Sequence, residues 1–596
     1  MLRLRASAPA LTVTIHSAPR SPRLWLGALA LLLTVSCARD YRRFPMEEPM
    51  WRDEEDFRAF GPMPEEYFSP FAWDGADQML FRPMARFFAV DPAGEAMNVN
   101  AMDEVPDSSW YTNRMSRGPL SRAELLAGPC GDEPPLDPTG PWKITSAKPN
   151  GANPGFIIED ADGRAFLLKF DSPNQPERAT SADVMGSLMY WGAGFSTPCN
   201  RVVFFDRDIL QIDEGATAEI AGEEVPMSWG ILEPAFEKAT QLADGRFRGT
   251  SSQFLPGRPI GPWRYEGTRD DDPNDVVPHQ ERRELRGGYT LASWINHFDA
   301  REQNTLAMFI PESDADDAPG YVQHNYIDFG DSFGSLWAWD GISRRLGHSS
   351  YFDMKHLLID FVTFGVIDRP WYHAEYGEAG DTLGYFGVSR FDPGEYQPGY
   401  PNPAFLAASD RDKAWMARIL ASFSPDDIRA IVDAASVQDP TVDSELKRIL
   451  VGRHERILRY WFRELSALTR PQVVVSDGEA MLCAEDLVVM RDLLPWGERP
   501  YWARAWHHVG GDDLETAETG RLVRRRPHHI CAGLPSSADA TPADPDYFIV
   551  DLQAMWGADD DRSRPLRVHL YQTGAVDYRV VGVERPYDLD APSARD

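Results

Sequence analysis

Cationic side chains are scarce in this chain. Sixty Lys and Arg face 92 Asp and Glu, a formal net charge of -32 over 596 residues. A surface this acidic repels phosphate backbones and anionic headgroups, which argues against nucleic acid and against an anionic membrane surface as partner. Cysteine is also sparse, five residues in all, and no C-x-x-C pair occurs, so a zinc knuckle is not expected. His507-His508 and His528-His529 do not fill that gap: neighbours on a strand point to opposite faces, so only one His of each pair can join a site. The apolar run at residues 24–35 is too short for a comfortable membrane span.

That run has the context of a targeting segment. Arg3, Arg5, Arg20 and Arg23 precede it and Ser36-Cys37 follow, the order of a positive region, an apolar region and a small residue before a cleavage point. Leu33-Thr34-Val35-Ser36-Cys37 resembles a lipobox, with Thr34 where Leu is usual. The expectation is a signal peptide over 1–37, lipidated at Cys37, with ordinary cleaved secretion as the alternative. Ala38 rather than Asp after the cysteine suggests the outer membrane of a bacterial cell envelope, facing periplasm or surface, with membrane contact through the N-terminal lipid only. Residues 38–94, rich in Glu, Pro, Phe and Arg, read as a tether and wrapping segment. In an oxidising envelope the other four cysteines are able to pair. Cys483 with Cys531 is favoured because both lie in the last region, and Cys130 and Cys199 are a second bridge or buried thiols.

The chemistry is concentrated between residues 146 and 330. His297-Phe298-Asp299-Ala300-Arg301-Glu302-Gln303-Asn304 sets a carboxylate, a cation and a carboxamide along one loop, and Asp328-Phe329-Gly330 supplies another carboxylate. Phosphoryl transfer is catalysed mainly by positioning and charge neutralisation: an Asp for the incoming hydroxyl, an Asn and an Asp for a magnesium ion, a cation on the moving phosphoryl group. Between the two segments, 305–310 and 321–327 read as paired strands around a turn at 311–320 rich in Asp, Pro and Ser. Such a hairpin returns Asn304 and Asp328 to the same end.

Upstream, 156–158 and 165–170 form a second hairpin signal around Asp160-Ala161-Asp162-Gly163, and Lys169 ends its second strand. The stretch 146–155, with Lys148 and Gly151, is a candidate loop over phosphates. Residues 180–194 have helical apolar spacing, a Ser or Thr start and a Gly stop, and Asp183 is the acid inside. Glu177 is its competitor as partner for Lys169.

This order of loop, Lys169, Asp183, Asp299-x-Arg301-x-x-Asn304 and Asp328-Phe329-Gly330 resembles the atypical branches of the protein-kinase-like superfamily: HipA-type, CotH-type, secretory-pathway and phosphoinositide kinases. Asp107-Ser108-Ser109-Trp110-Tyr111-Thr112-Asn113-Arg114 and the stretch from Gly261-Pro262-Trp263 to Arg286-Gly287 look like bacterial exported proteins that carry this lobe. The resemblance implies an α+β, bilobal fold: a β-rich N-lobe over 95–260 and a helical C-lobe over 261–470. It further implies ATP and Mg²⁺ (or Mn²⁺) as cofactors, Asp299 as catalytic base, Arg301 on the transferring phosphate, Asn304 and Asp328 on metal, and Lys148, Gly151, Lys169 and Asp183 around the nucleotide. The acceptor is a protein or small molecule of unspecified identity. Phe298 replaces the loop Arg that pairs with a phosphorylated activation segment, so regulation by that route is not expected. A catalytically inactive kinase-like scaffold and an adenylyltransferase are the competing functions.

Beyond the D-F-G segment, 352–366, 413–423, 425–435 and 443–468 have helical spacing, with Ser424 as a good helix start. From 471 the pattern shifts to short strands at 472–475, 547–552, 566–571 and 578–583, so 471–596 reads as a β-rich sandwich. Residues 280–286 read as a solvated mixed-charge face and 270–275 as an exposed acidic loop. Trp337 and Trp339 read as core or cleft packing.

Overall fold

Alternating burial of apolar side chains builds the first sheet. In the computed structural model, Gly155–Glu159 (β2) buries Phe156 and Ile158, and Ala165–Lys169 (β3) buries Phe166 and Leu168, with Gly163 turning the chain at φ 79° between them. Five further strands complete it: Trp142–Ala147 (β1), Asn200–Phe205 (β4), Leu210–Ile220 (β5), Glu223–Pro226 (β6) and Phe247–Gln253 (β7). Their order is β4-β7-β3-β2-β1-β5-β6, antiparallel except for β1 against β5. Trp142, Phe156, Phe170, Phe205 and Phe236 fill its core. The described residues are 43–46, 59–68, 71–88, 94–148, 154–220, 223–510, 513–525, 528–557 and 564–587. Phe44–Leu589 form one compact unit, which holds every element named here.

After β3 the chain enters Arg178–Ala193 (α1), which is buried on nearly every side. The expected Ser or Thr start is absent. Glu177 occupies the cap position at φ 65° without a side-chain bond, and Asp171 instead accepts from the Thr180 N–H (2.9 Å) and hydroxyl (2.8 Å). A second, three-stranded sheet follows, Arg258–Gly261 (β8), Thr305–Pro311 (β9) and Gly320–Tyr326 (β10), with Arg283–Ile295 (α2) entering it. Met354–Thr363 (α3), Asp410–Leu420 (α4), Pro425–Ala434 (α5) and Pro440–Glu464 (α6) come next; Ser409/Asp412 and Ser424/Asp427 form capping boxes that satisfy the first N–H groups of α4 and α5.

The last part is a two-layer sandwich. One layer runs β11-β12-β16-β15, from Leu468–Ser476 (β11), Glu479–Asp486 (β12), Leu522–Arg525 (β15) and His529–Gly533 (β16). The other runs β14-β13-β17-β18-β19, from Tyr501–Gly510 (β13), Asp513–Ala517 (β14), Asp546–Ala554 (β17), Pro565–Gln572 (β18) and Tyr578–Glu584 (β19). Leu482 and Ile530 of the first meet Val550, Leu566 and Val568 of the second in one core. Cys483 and Cys531 are opposite each other in β12 and β16 and form a disulfide, and Cys130 bonds to Cys199. Closing loops of 48 and 69 residues removes unfolded-state freedom on the order of 4 kcal/mol each.

Several expectations fail for physical reasons. Residues 280–286 are not solvated: Arg282, Arg283, Glu284 and Arg286 are buried, because Asp103, Asp412 and Glu281 pair with the arginines of this stretch. In the acidic loop, Asp272 and Asp275 point inward, the latter onto His279 (2.6 Å) and Arg282 (3.3 Å). Trp339 is 72% exposed rather than packed. The helix read to 468 stops at Glu464, and Leu468 already begins β11. Within the expected tether, Phe71–Phe88 is helical, with one wider turn at Asp77–Phe81; Gly75 and Pro83 hide its periodicity.

Asp103 is the ionic hub of this half of the molecule. It takes Arg283 on α2, Arg418 on α4 (3.3 Å) and Arg585 just past β19 (2.6 Å), joining the two helices to the end of the sandwich. Burial would raise its pKa, but the three guanidinium groups outweigh burial and hold it at about 2. A carboxylate whose folded pKa is depressed contributes stability above its unfolded pKa near 3.9 that is lost as pH falls toward the folded value. Asp103→Asn keeps the left-handed backbone (φ 59°) that Asn tolerates. Denaturant titration is expected to show a loss of about 3–5 kcal/mol at neutral pH, and a flatter stability curve than the parent between about pH 4 and pH 2.

Candidate nucleotide and metal site

Lys169 ends β3 beside Gly155, at a place where a side chain on residue 155 would come within 2.3 Å of the Leu168 carbonyl oxygen. Glycine there lets the strands close, and Lys148, just past β1, donates its backbone N–H to the Gly155 oxygen (3.3 Å). The three strand ends thus hold Lys148 and Lys169 at one edge. Gly151 lies outside the described residues, as does Cys37.

The Lys169 ammonium is 3.1 Å from Asp183 on α1 and 2.9 Å from Asp328. The other Asp183 oxygen accepts the backbone N–H of Phe329 (3.0 Å), so a single carboxylate fixes both the lysine and the D-F-G backbone. Asp328 sits at φ 56°, and its side chain stays 37% exposed. Phe329 is fully buried against α1, where Gly186 makes room. Burial works against each charge here. Against burial, Asp183 and Asp328 hold the Lys169 pKa up, and Lys169 and Lys148 hold that of Asp328 below the usual carboxylate range. Burial and the Asp328 charge raise Asp183. Lys148 is lowered by burial and by Lys169.

The second cluster is the loop after α2. Its His297 ring bonds the Tyr190 hydroxyl on α1 (2.8 Å), and burial lowers its pKa to about 4, leaving it a neutral positioning group. Phe298 is buried, and its carbonyl accepts from the Gly399 N–H (2.6 Å). Arg301 pairs with Asp299 (3.1 Å), bonds the Tyr400 hydroxyl (3.0 Å) and stacks over that ring. The Asn304 amide donates to both the backbone and a carboxylate oxygen of Asp299, each at 2.8 Å. Burial pushes Asp299 up to about 7, with Asp331 and Asp328 adding to it against Arg301 and Asn304. β9 and β10 pair in register from Pro311/Gly320 to Thr305/Tyr326, and Ile327 donates to the Asn304 carbonyl (3.0 Å), which brings Asn304 alongside Asp328.

The structure therefore brings together Lys169, Asp183 and Asp328, brings together Asp299, Arg301 and Asn304, and joins the two sets through β9 and β10. Glu177 is not the lysine's partner; it accepts from the Gln438 backbone instead (2.8 Å). Two groups escaped the sequence reading. Asp331, three residues beyond Asp328, is held by Ser335 (3.0 Å) and faces Arg178 (3.7 Å). Arg178 itself donates to the Ser332 carbonyl (3.1 Å), clamping the segment after the D-F-G. An acid so close to Asp328 was visible in the sequence; an arginine opening α1 carried no signal of its destination.

Comparison with known proteins adds little to this geometry. No family model matches the chain, and no curated protein matches it. Among solved structures it is similar to the Golgi casein kinase with Mn/ADP bound, at 11% identity over 54% of this chain and 72% of that one, with a TM-score of 0.25. A second structure of the Golgi casein kinase matches at 12% identity, over 54% and 74%, with the same TM-score. Likeness at that level assigns no residue, and the chemistry rests on the distances above.

A Cβ at residue 186 would stand 2.5 Å from Cβ and Cγ of Phe329. Gly186→Ala is expected to push Phe329 off α1 and to destabilise by about 1–3 kcal/mol, as overpacking does. Denaturant unfolding measures the loss, and faster amide exchange at Phe329 reports the broken bond to Asp183.

Proposed function

We propose that this chain is an ATP- and Mg²⁺-dependent phosphotransferase with the two-lobed arrangement of protein kinases, transferring to a protein hydroxyl or a small molecule. The observation that supports this most is the ammonium of Lys169 held between Asp183 on the neighbouring helix and Asp328 of the D-F-G segment. In a nucleotide complex, Lys169 is the group for the phosphates, with Asp183 orienting it and Lys148 and Gly151 in the covering loop.

The donor chemistry fits a hard divalent cation. Asn304 spends its amide N–H groups on Asp299, which leaves its oxygen as the donor, and the Asp328 carboxylate is partly open. Oxygen donors of this type suit Mg²⁺ or Mn²⁺, which would neutralise charge on the phosphates. Asp299 is the proton acceptor for the incoming hydroxyl, with Arg301 as the cation for the moving phosphoryl group. Retention of Lys169, Asp299 and Asp328 together favours catalysis over a bare scaffold. Acylation at Cys37 would hold the enzyme in the cell envelope.

Purified protein incubated with Mg²⁺ or Mn²⁺ and ATP labelled at the α or γ phosphate tests the reading. γ-label should reach protein or an added acceptor, and Asp328→Ala should abolish it. Asp299→Asn should keep nucleotide affinity and lower turnover by about 10²–10⁴, the usual contribution of a general base. Transfer of the α label would identify an adenylyltransferase, and no nucleotide binding a scaffold; either result overturns the proposal. Palmitate labelling of cells expressing the chain, lost in Cys37→Ser, tests the anchor separately.

A further inference from the structure

The helix Met354–Thr363 is built inside out. Of its polar residues only Lys355 is exposed, while His356, Asp360 and Thr363 lie on the partly buried side: His356 pairs with Asp353 (3.0 Å), Asp360 with Arg369 (2.7 Å), and Thr363 bonds back to the Ile359 carbonyl (2.7 Å). Its apolar residues Met354, Leu357, Leu358, Phe361 and Val362 recur at the three- and four-residue spacing of one helical face, and that face is exposed. Such a stripe normally faces a core. Here no residue of the helix is buried at all.

The turn that follows extends the stripe. Phe364 and Gly365 both adopt positive φ (53° and 71°), a conformation that a bulky residue such as Phe rarely takes, and the backbone bond from Gly365 to Asp360 (2.8 Å) holds it. The result is an apolar tip, with Phe364 93% and Val366 81% exposed. Tyr372 and Trp339 are exposed on the segments flanking it in sequence.

We propose that this stripe and tip lie in the interfacial layer of a lipid bilayer with zwitterionic headgroups. Three features favour lipid over a protein occupant. The exposed face is aliphatic and phenyl, the composition of helices that lie in a membrane interface, whereas protein hot spots are rich in Trp, Tyr and Arg and poor in Leu and Val. Lys355 is the one polar side chain exposed on this helix, so the face offers few of the hydrogen bonds that protein interfaces use at regular intervals. The charge also fits: a chain of net charge -32 is repelled by anionic lipid, so the surface it meets is neutral. Ten residues rise only about 15 Å, so the helix lies on the bilayer without crossing it. This inference uses neither the phosphotransferase reading nor the lipid on Cys37.

The full chain carrying Cys37→Ser has no free thiol besides any introduced one, because the other four cysteines are in disulfides. An environment-sensitive fluorophore on Phe364→Cys in that background is mixed with phosphatidylcholine vesicles, beside the same label on the exposed Val475→Cys of β11. The label at 364 should shift to the blue and brighten several-fold while that at 475 does not, and phosphatidylserine added at low salt should weaken the change. No shift at 364, an equal shift at both positions, or a stronger response to phosphatidylserine overturns the proposal. A shift that follows protein concentration without lipid also overturns it, in favour of a second copy.

Discussion

An ammonium taken out of water and set between two carboxylates organises this protein. A lone ammonium at the end of β3 would be costly, and burial pushes the Asp183 carboxyl inside α1 toward its neutral form; each supplies the charge that the other needs. Because the acids come from α1 and from the segment after β10, satisfying the lysine also fixes the helix and the D-F-G backbone relative to the first sheet. The same charges act beyond the trio. Asp299 and Asp331 join the two acids, and Lys148, Arg301 and Arg178 join the lysine, so acids and cations balance when Asp299 is ionised.

Packing and buried charge make the arrangement stiff. Phe329 fills the space opened by Gly186, His297 is tied to Tyr190, and Phe298 is pinned by Gly399, so the 297–304 loop and the D-F-G segment are held from α1 and from the 396–400 segment together. Behind them, α2 carries arginines that are buried because Asp103 and Asp412 neutralise them. Arg585 brings the sandwich onto the same Asp103. The sandwich is thereby part of the framework behind the site.

The candidate site's grouping was legible because its members lie in short local patterns: Lys169 at a hairpin strand end, Asp183 on a stretch that ends at Gly194 like a helix, and Asp299 to Asp328 around a turn marked by Pro and Asp. Five of the seven strands in the first sheet were not legible. β5 and β7 read Leu-Gln-Ile-Asp-Glu-Gly-Ala-Thr-Ala-Glu-Ile and Phe-Arg-Gly-Thr-Ser-Ser-Gln, polar runs whose strand state is set by their neighbours. The charge pattern at 280–286 misled for a related reason. A mixed-charge helix start is solvated unless partners distant in sequence meet it, and Asp103 and Asp412 are more than a hundred residues away. The apolar spacing of 352–366 identified a helix, with no means of telling that its stripe faces outward.

If the proposed activity is right, Lys169, Asn304 and Asp328 grip one nucleotide and one cation. A crystal structure of the protein grown with a non-hydrolysable ATP analogue and Mn²⁺ tests this most directly, because the anomalous signal of manganese locates the ion. The ion is expected at Asn304 and Asp328, with Lys169 turned from Asp328 toward the phosphates and still paired with Asp183. Manganese or nucleotide bound away from these three side chains would contradict it.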